Sequence, residues 1–212
     1  MAGSARQSRI VRLGVLVSGN GTNLQAIIGS ILRGELSAKV ACVISNKADA
    51  FALERAGKHG IPAIHLDHRQ YGSRADYDAA LVETLQQHDV ELVILAGFMR
   101  LLSPVIIDAF PHRIMNIHPA LLPSFPGLDA QQQALDYGVK VSGCTVHFVD
   151  AGCDTGPIIL QTVVPVLEGD TSETLSQRIH VEEHRSYPAA IQLFAEGRLS
   201  VEGRRVTVSS GD

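Results

Sequence analysis

An amide and an imidazole stand two residues apart where a short apolar segment meets a proline. The segment spans residues 113–119 and carries Asn116 and His118. Side chains two apart in an extended chain point the same way, so both groups should share one face at a strand end. The amide suits a developing oxyanion, and the imidazole can exchange protons near neutral pH. The pair indicates acyl transfer. The alternative is that His118 is a structural histidine and Asn116 a turn residue.

Asp154 is the carboxylate that could act with this pair. It lies in the turn-rich segment 150–157, and beside His118 it would favour the imidazolium form. Aspartate is also common before Gly-Pro turns, and the residues alone favour that structural role. Thr145 and His147 lie on one side of a later strand, where they either line the same pocket or form an ordinary strand face.

The spacing of the reactive side chains disfavours covalent and metal-assisted mechanisms. The nearby nucleophile candidates lie in no elbow motif such as G-x-S-x-G: Ser103, Ser124 and Cys144. Direct transfer is therefore expected. His118, His147 and Asp154 could in principle bind a metal, but the chain has no HExxH motif and no short-spaced ligand pair. We predict a site without metal.

A glycine-containing loop, residues 18–23 (SGNGTN), links the first strand to the first helix. Glycines allow close approach of a ligand, and a helix N-terminus offers free N–H groups, so the loop suits a phosphate as well as it suits an ordinary turn. It lacks the Gly-Lys of a Walker A loop, and Leu24 replaces the third glycine of G-x-G-x-x-G. The second strand ends in Ser45 and Asn46 rather than an acidic residue, which also disfavours a dinucleotide site.

Strand and helix patterns alternate through the first two thirds of the chain. Apolar runs predict strands over residues 10–17, 40–45, 62–66 and 91–97. Helical spacing predicts helices over residues 24–32, 48–59 and 73–88, with Ser73 as a cap. Ser103 and Pro104 indicate the cap and first turn of a further short helix. Ligands of such α/β sheets bind beyond the carboxyl ends of the strands, where the motifs above lie.

The pattern changes after residue 140. Two strands, a long helix and a terminal hairpin are predicted over residues 141–149, 157–166, 170–195 and 198–208. Asp170 and Glu173 form a candidate capping box for the long helix, which Pro188 should bend or break. The predicted fold is α/β: a Rossmann-like, mostly parallel sheet with helices on both faces, followed by antiparallel strands and a long helix.

The bulk composition favours a small-molecule substrate. The 212 residues are 45% hydrophobic, with a net charge of −4 and no basic run of the kind a nucleic-acid binder needs. The first eight residues lack the apolar core of a signal peptide, and runs such as 92–96 are too short to cross a membrane. Three cysteines without CxxC spacing indicate a reducing compartment, so a cytoplasmic location is expected.

Six segments together resemble the folate-dependent phosphoribosylglycinamide formyltransferase family. They follow the family's order from about residue 10 to about residue 200: 16–26 (LVSGNGTNLQA), 44–50 (ISNKADA), 95–104 (LAGFMRLLSP), 116–123 (NIHPALLP), 144–149 (CTVHFV) and 154–157 (DTGP). The resemblance implies the formyltransferase fold and formyl transfer from 10-formyltetrahydrofolate, as co-substrate, to the amine of glycinamide ribonucleotide in purine synthesis.

The resemblance also implies a role for each matching position. The catalytic positions are Asn116, His118 as proton donor, and Asp154. The positions for glycinamide ribonucleotide are Gly21, Thr22, Asn23, His180 and Glu183. The folate positions are Arg74, Met99, Arg100, Leu101, Leu102, Asn116, Asp150, Ala151, Gly152, Cys153 and Asp154. Members often carry histidine and arginine where residues 129–133 of this loop read DAQQQ, so the resemblance implies no substrate contact there.

Three rival functions stay open at this point. Formyltetrahydrofolate deformylase uses a similar trio with water as acceptor, but the phosphate-compatible loop favours a ribonucleotide. Methionyl-tRNA formyltransferase would need a further domain and a basic surface. A non-catalytic binding protein would not need the trio.

We expect a tail over residues 1–9 and one domain over residues 10–212, with a phosphate-binding half (10–105) and a catalytic, folate-binding half (106–212). The protein is expected to be a monomer or a homodimer, without nucleic-acid or membrane partners.

Overall fold

One mixed sheet of nine strands organises the protein. A computed structural model describes residues 9–210, so all but one residue of the expected N-terminal tail lies outside the described residues. The strand order is β3-β2-β1-β4-β5-β6-β7-β9-β8. The strands are β1 (Val11–Val17), β2 (Ala38–Ser45), β3 (Ala63–His65), β4 (Leu92–Leu95), β5 (Ile114–His118), β6 (Val141–Phe148), β7 (Ile158–Pro165), β8 (Leu199–Glu202) and β9 (Arg205–Val208).

The direction of the strands changes after β5 and divides the sheet into two parts. Strands β1 to β5 are parallel to one another, whereas β6 is antiparallel to both β5 and β7. The last two strands form an antiparallel hairpin, with β9 beside β7. This arrangement confirms the predicted fold class, because a parallel α/β half is followed by antiparallel strands.

Helices cover both faces of the sheet. The helices are α1 (Thr22–Leu32), α2 (Phe51–Lys58), α3 (Arg74–Gln87), α4 (Pro104–Ala109), α5 (Ala130–Tyr137) and α6 (Ser172–Ala195), with a short 3-10 turn at His68–Gln70. Buried side chains of α1, α2, α5 and α6 share one hydrophobic cluster, while those of α3 and α4 belong to a second cluster on the other face. Helix α1 follows β1 and α4 follows β4, so the covering helices switch faces between these neighbouring strands. Ligand crevices form at such a switch point.

The long helix corrects two expectations. Pro188 was expected to bend or break α6; the break is wrong, because the helix runs from Ser172 to Ala195, and the bend stays a prediction. Proline removes one main-chain donor, but buried neighbours such as Tyr187 hold the helix against the sheet on both sides of that point. The predicted capping box of Asp170 and Glu173 is also wrong, because Thr171 is the cap and Thr174 its partner.

Two further local predictions differ from the structure. The run 129–133 was expected in a loop, but α5 begins at Ala130, after Asp129 in a left-handed conformation. Ser103 does precede Pro104 at the start of α4, yet its side chain makes no capping hydrogen bond. By contrast, Ser73 caps α3 as predicted, since its Oγ accepts a hydrogen bond from the N–H of Asp76.

Candidate active site

The antiparallel pairing of β5 and β6 sets four polar side chains in register. Asn116 on β5 is paired with His147 on β6, and His118 is paired with Thr145. Residues two apart on a strand share a face, so the four side chains gather at the carboxyl end of β5. His118, Thr145 and His147 are buried, and Asn116 is partly exposed. The sequence pattern therefore placed Asn116 and His118 correctly on one face.

Asp154 reaches this group from the loop between β6 and β7. Its backbone has φ 54°, a left-handed conformation that aspartate adopts more readily than most residues. One carboxylate oxygen lies 3.4 Å from His118 Nδ1, and the other accepts a long hydrogen bond of 3.4 Å from Asn116 Nδ2. The N–H of Gly127 donates a shorter hydrogen bond of 2.9 Å to the carboxylate. The structure thus brings Asn116, His118 and Asp154 together.

The surroundings keep the Asp154 carboxyl group ionised. Burial alone would raise its pKa, but the contact with His147, the Gly127 N–H bond and the positive charge available on His118 act in the opposite direction. The net result is a pKa of Asp154 below its ordinary value. Asp154 therefore contributes a negative charge next to both imidazoles.

This lowered pKa predicts a pH-dependent contribution to stability. We expect the wild type to have a larger free energy of unfolding than Asp154→Asn at about pH 7. The difference should be fully present above about pH 4, the ordinary value, and should be lost as the pH falls towards the lower pKa of the folded state. Urea unfolding of both proteins between about pH 7 and pH 3 measures it. Asp108→Asn is the control, because Asp108 is exposed and has no ion pair within the described residues. A difference that did not change with pH would contradict this prediction.

His118 is held at both ring nitrogens. Its Nε2 lies 2.7 Å from the carbonyl oxygen of Phe125, and its Nδ1 faces Asp154. A carbonyl oxygen can only accept, so Nε2 must carry a hydrogen in this contact. With a carboxylate at Nδ1, both nitrogens face acceptors, which suits the doubly protonated imidazolium.

Thr145 and His147 have different surroundings although they share a strand face. His147 Nε2 lies 3.3 Å from Asn116 Nδ2 and 3.7 Å from Asp154 Oδ1, so His147 belongs to the same cluster. Thr145 Oγ1 instead donates to the carbonyl of Ala120 and accepts from the N–H of Leu122. It therefore fixes the chain just after His118. The alternation of side chains along β6 predicted that both residues share a face. Only the register with β5 shows that His147 contacts the cluster and Thr145 does not.

The glycine loop forms a second polar cluster with α6. Gly21 has φ 74° immediately before α1, and Thr22 is the first residue of that helix. Asn23 Nδ2 donates a hydrogen bond of 3.0 Å to Glu183 Oε2 on α6. Burial raises the pKa of Glu183, whereas the Asn23 bond and nearby His180 oppose that rise. His180 Nε2 lies 4.0 Å from the same carboxylate oxygen.

Helix α6 connects the two clusters. The Tyr187 hydroxyl lies 3.0 Å from the carbonyl oxygen of Leu95 and 2.8 Å from that of Met115, so it contacts both β4 and β5. Glu183 lies one helical turn before Tyr187. The strands β1, β4 and β5 are neighbours, which places the glycine loop about two strand spacings, roughly 10 Å, from the end of β5.

The expected folate positions lie around the other side of this crevice. In the segment 99–102, which follows β4, Met99 and Leu101 are exposed, Leu102 is buried, and Arg100 lies over the ring of Tyr77. Arg74 is the exposed first residue of α3, and within residues 9–210 it makes no hydrogen bond to another candidate site residue.

The segment 150–154 closes the same side. Asp150 Oδ1 accepts hydrogen bonds from the N–H of Gly152 and the hydroxyl of Thr155, which forms a tight turn. Ala151, Gly152 and Cys153 are exposed at its tip. Asp154 alone of this segment contacts the cluster on β5 and β6. The structure therefore places the expected folate positions on four elements: α3, the segment 99–102, Asn116 on β5 and the segment 150–154.

The part of the chain that the structure describes holds no candidate metal site and no candidate membrane span. No group of three or more histidine, cysteine, aspartate or glutamate side chains there could hold a metal ion. None of the helices between residues 9 and 210 is both long and apolar enough to cross a bilayer. The expectation of a metal-free reaction stays a prediction.

The amino-acid sequence matches a known protein family and several named proteins. The family model described as formyl transferase matches residues 11–191. Phosphoribosylglycinamide formyltransferase of Escherichia coli (strain K12) is 46% identical over 187 residues, which cover 88% of each chain. The trifunctional purine biosynthetic protein adenosine-3 of Gallus gallus is 49% identical over 195 residues, covering 92% of this chain but 19% of that protein. The chain thus spans about a fifth of such a trifunctional relative.

Structural comparison agrees with the sequence. The crystal structure of glycinamide ribonucleotide transformylase 1 from Symbiobacterium toebii matches with a TM-score of 0.95 and 60% identity, covering 96% of both chains. Sequence and fold therefore agree over nearly the whole chain. The protein belongs to the formyl transferase family, in the group of the phosphoribosylglycinamide formyltransferases.

Proposed function

We propose that this protein transfers the formyl group of 10-formyltetrahydrofolate to the amine of glycinamide ribonucleotide, a step of purine synthesis. The observation that carries the proposal is the contact of Asp154 with both His118 and Asn116 at the carboxyl end of β5. An amide donor, an imidazole and a carboxylate together supply what formyl transfer between two nitrogens requires: oxyanion stabilisation and proton transfer.

In the proposed mechanism the substrate amine attacks the formyl carbon directly. The formyl oxygen becomes an oxyanion, which accepts a hydrogen bond from Asn116 and is stabilised by the charge of His118. Asn116 Nδ2 carries two N–H groups and lies at long distances from Asp154 Oδ1 and His147 Nε2, so the oxyanion would replace one of these two weak contacts. The bond to the folate nitrogen then breaks, and that nitrogen takes a proton from His118, directly or through water. The proton lost by the attacking amine returns to His118, so the enzyme ends in its initial state.

The two substrates are proposed to enter from opposite sides of the crevice. The phosphate of the ribonucleotide would meet the N–H groups of the glycine loop at Gly21, Thr22 and Asn23, with Glu183 and His180 nearby on α6. The folate would lie between the segments 99–102 and 150–154, near Arg74, with its formyl group directed at Asn116 and Asp154. In this arrangement Asn116, His118 and Asp154 lie between the two substrates.

The conformation of Gly21 predicts a specific loss of ribonucleotide binding. Its φ of 74° is unfavourable for other residues, and a Cβ there would lie 2.6 Å from the Cβ of Ala52. We expect Gly21→Ala to lower the free energy of unfolding by about 1–2 kcal/mol and to raise the KM for glycinamide ribonucleotide at least about fivefold. Urea unfolding and initial rates measure the two effects.

Gly19→Ala is the matched control for that experiment. Among the described residues nothing lies within 4 Å of a Cβ built on Gly19, and its φ is not in the left-handed region. The Gly19 variant should therefore keep the KM for the ribonucleotide. Equal behaviour of the two variants would argue against a phosphate cradle at Gly21.

A two-substrate assay tests the proposed function. Release of tetrahydrofolate is followed by absorbance with and without glycinamide ribonucleotide, and formate is measured in parallel. Turnover that requires the ribonucleotide and yields no formate is the expected result. Formate release without the amine would instead indicate a formyltetrahydrofolate deformylase, and no turnover with either acceptor would reject both enzymes.

The partners and the location follow from the same proposal. The substrates are small molecules, and we propose neither a nucleic-acid partner nor a membrane partner. The cysteines Cys42, Cys144 and Cys153 are free thiols, which supports action in the reducing cytoplasm. We propose a monomer or a homodimer, which sedimentation at several protein concentrations distinguishes.

A further inference from the structure

The segment 99–102 has no regular secondary structure, although it carries four expected folate positions. A single side-chain contact holds each of its ends. At the first end, the N–H of Met99 donates a hydrogen bond of 2.9 Å to Ser18 Oγ. At the other end, the N–H of Ser103 donates a hydrogen bond of 2.5 Å to Asp78 Oδ2. The path of the segment therefore depends on these two acceptors.

Asp78 is an unusual residue for its place in α3. It is only 1% exposed, on the face of the helix that packs against α4. A buried carboxylate is costly unless it is well bonded, yet Oδ1 of Asp78 makes no hydrogen bond within residues 9–210. Packing alone would be served better by an apolar side chain. The single short bond to Ser103 is therefore the feature that explains a carboxylate here.

The Ser103 N–H needs a hydrogen-bond acceptor from outside α4. Ser103 precedes the first turn of α4, where main-chain N–H groups have no partner inside the helix. The Ser103 side chain does not cap the helix, so the Asp78 carboxylate acts as the acceptor at this end. A charged acceptor near a helix N-terminus makes a stronger bond than a neutral one.

We propose that Asp78 is a positioning residue for the folate substrate. From behind the segment 99–102 it fixes Ser103, and through Ser103 it fixes the adjacent end of the segment, with Arg100 and the exposed side chain of Leu101. Asp78 itself does not touch the substrates. This inference rests on the proposed function, because it takes the segment 99–102 as part of the folate site.

Steady-state kinetics of Asp78→Ala tests the proposal. A hydrogen bond to a charged group, once removed, leaves a buried N–H without a partner, so we expect the KM for 10-formyltetrahydrofolate to rise at least about tenfold. The KM for glycinamide ribonucleotide should stay within about twofold, because α1 and α6 lie on the other face of the sheet. Asp78→Asn keeps an oxygen acceptor for the Ser103 N–H and should restore the folate KM to within about threefold of the wild type.

A matched control separates positioning from stability. Leu85→Ala removes a fully buried side chain of the same helix, away from Ser103. It should lower the melting temperature without changing the ratio of the two KM values. If Asp78→Ala does not fold, Asp78→Ser replaces it, because a serine hydroxyl is too short to reach the Ser103 N–H. Equal changes in both KM values, or a loss of stability with neither KM changed, would overturn the proposal.

Calorimetric binding of 5-formyltetrahydrofolate makes the test independent of turnover. Wild type that binds this folate but transfers no formyl group would reject the proposed reaction and leave the role of Asp78 testable. Unchanged folate binding in Asp78→Ala, together with active wild type, would reject the role of Asp78 alone.

Discussion

Replacing His118 with alanine is expected to lower kcat for formyl transfer by about 100- to 10,000-fold, the usual contribution of a positioned acid or base. The imidazole is buried, and its two nitrogens face the carbonyl of Phe125 and the carboxylate of Asp154. Alanine removes both the proton and the positive charge next to the oxyanion. The KM values of the two substrates should change little, because His118 is not itself among the expected phosphate or folate positions. Initial rates with each substrate varied in turn measure both quantities.

His118→Gln separates proton transfer from packing. A glutamine amide can still donate a hydrogen bond to the Phe125 carbonyl, but it cannot take up or release a proton near neutral pH. We expect this variant to keep the melting temperature of the wild type and to lose activity almost as fully as the alanine variant. An active glutamine variant would show that His118 holds the loop after β5 and takes no part in proton transfer.

The second large effect is expected at Asn116. Removal of one oxyanion donor typically costs about 100- to 1,000-fold in turnover, so Asn116→Ala should lower kcat by that factor. The amide contributes in the transition state, when the formyl oxygen becomes negative, and much less in the ground state. The KM for glycinamide ribonucleotide should therefore stay close to that of the wild type, and any rise in the folate KM should be much smaller than the loss in kcat. Single-turnover measurements with saturating substrates isolate this chemical step.

Asn116→Asp provides the control for the shape of the side chain. An aspartate has the same size but offers no N–H, and it would lie next to the carboxylate of Asp154. We expect turnover at least as low as in the alanine variant. If either variant kept near-normal turnover, the oxyanion would have to be stabilised by another group, and the role of Asn116 would be rejected.

Much of the fold follows from local patterns. The periods of apolar residues predicted the strands from β1 to β7 and the long helix α6 to within a few residues. The reason is that each of these elements buries one side or both sides, and burial appears directly in the residue order. The same logic placed Asn116 and His118 together, because an extended strand needs no tertiary contact to align residues two apart.

Elements whose local signals were weak or competing were missed. Helix α5 was not predicted, because the run 129–133 is polar and only two buried alanines, Ala130 and Ala134, mark its inner face. At the start of α6 two overlapping capping patterns compete, and Thr171 rather than Asp170 lies at the boundary. Pro188 suggested a break, but a helix held by buried neighbours tolerates the loss of one hydrogen bond. The roles of the individual site residues and the division into two halves stay predictions.

The amino-acid order by itself determined the alternating α/β architecture, the shared face of Asn116 and His118, and the glycine loop between the first strand and the first helix. Each of these depends on neighbours within a few residues. Only the tertiary structure decided that Asp154 faces His118, that His147 joins the cluster while Thr145 does not, and that Asp78 holds Ser103. Most of these contacts join residues that are 23 to 38 positions apart, and strand register and helix packing, rather than local sequence, set their distances.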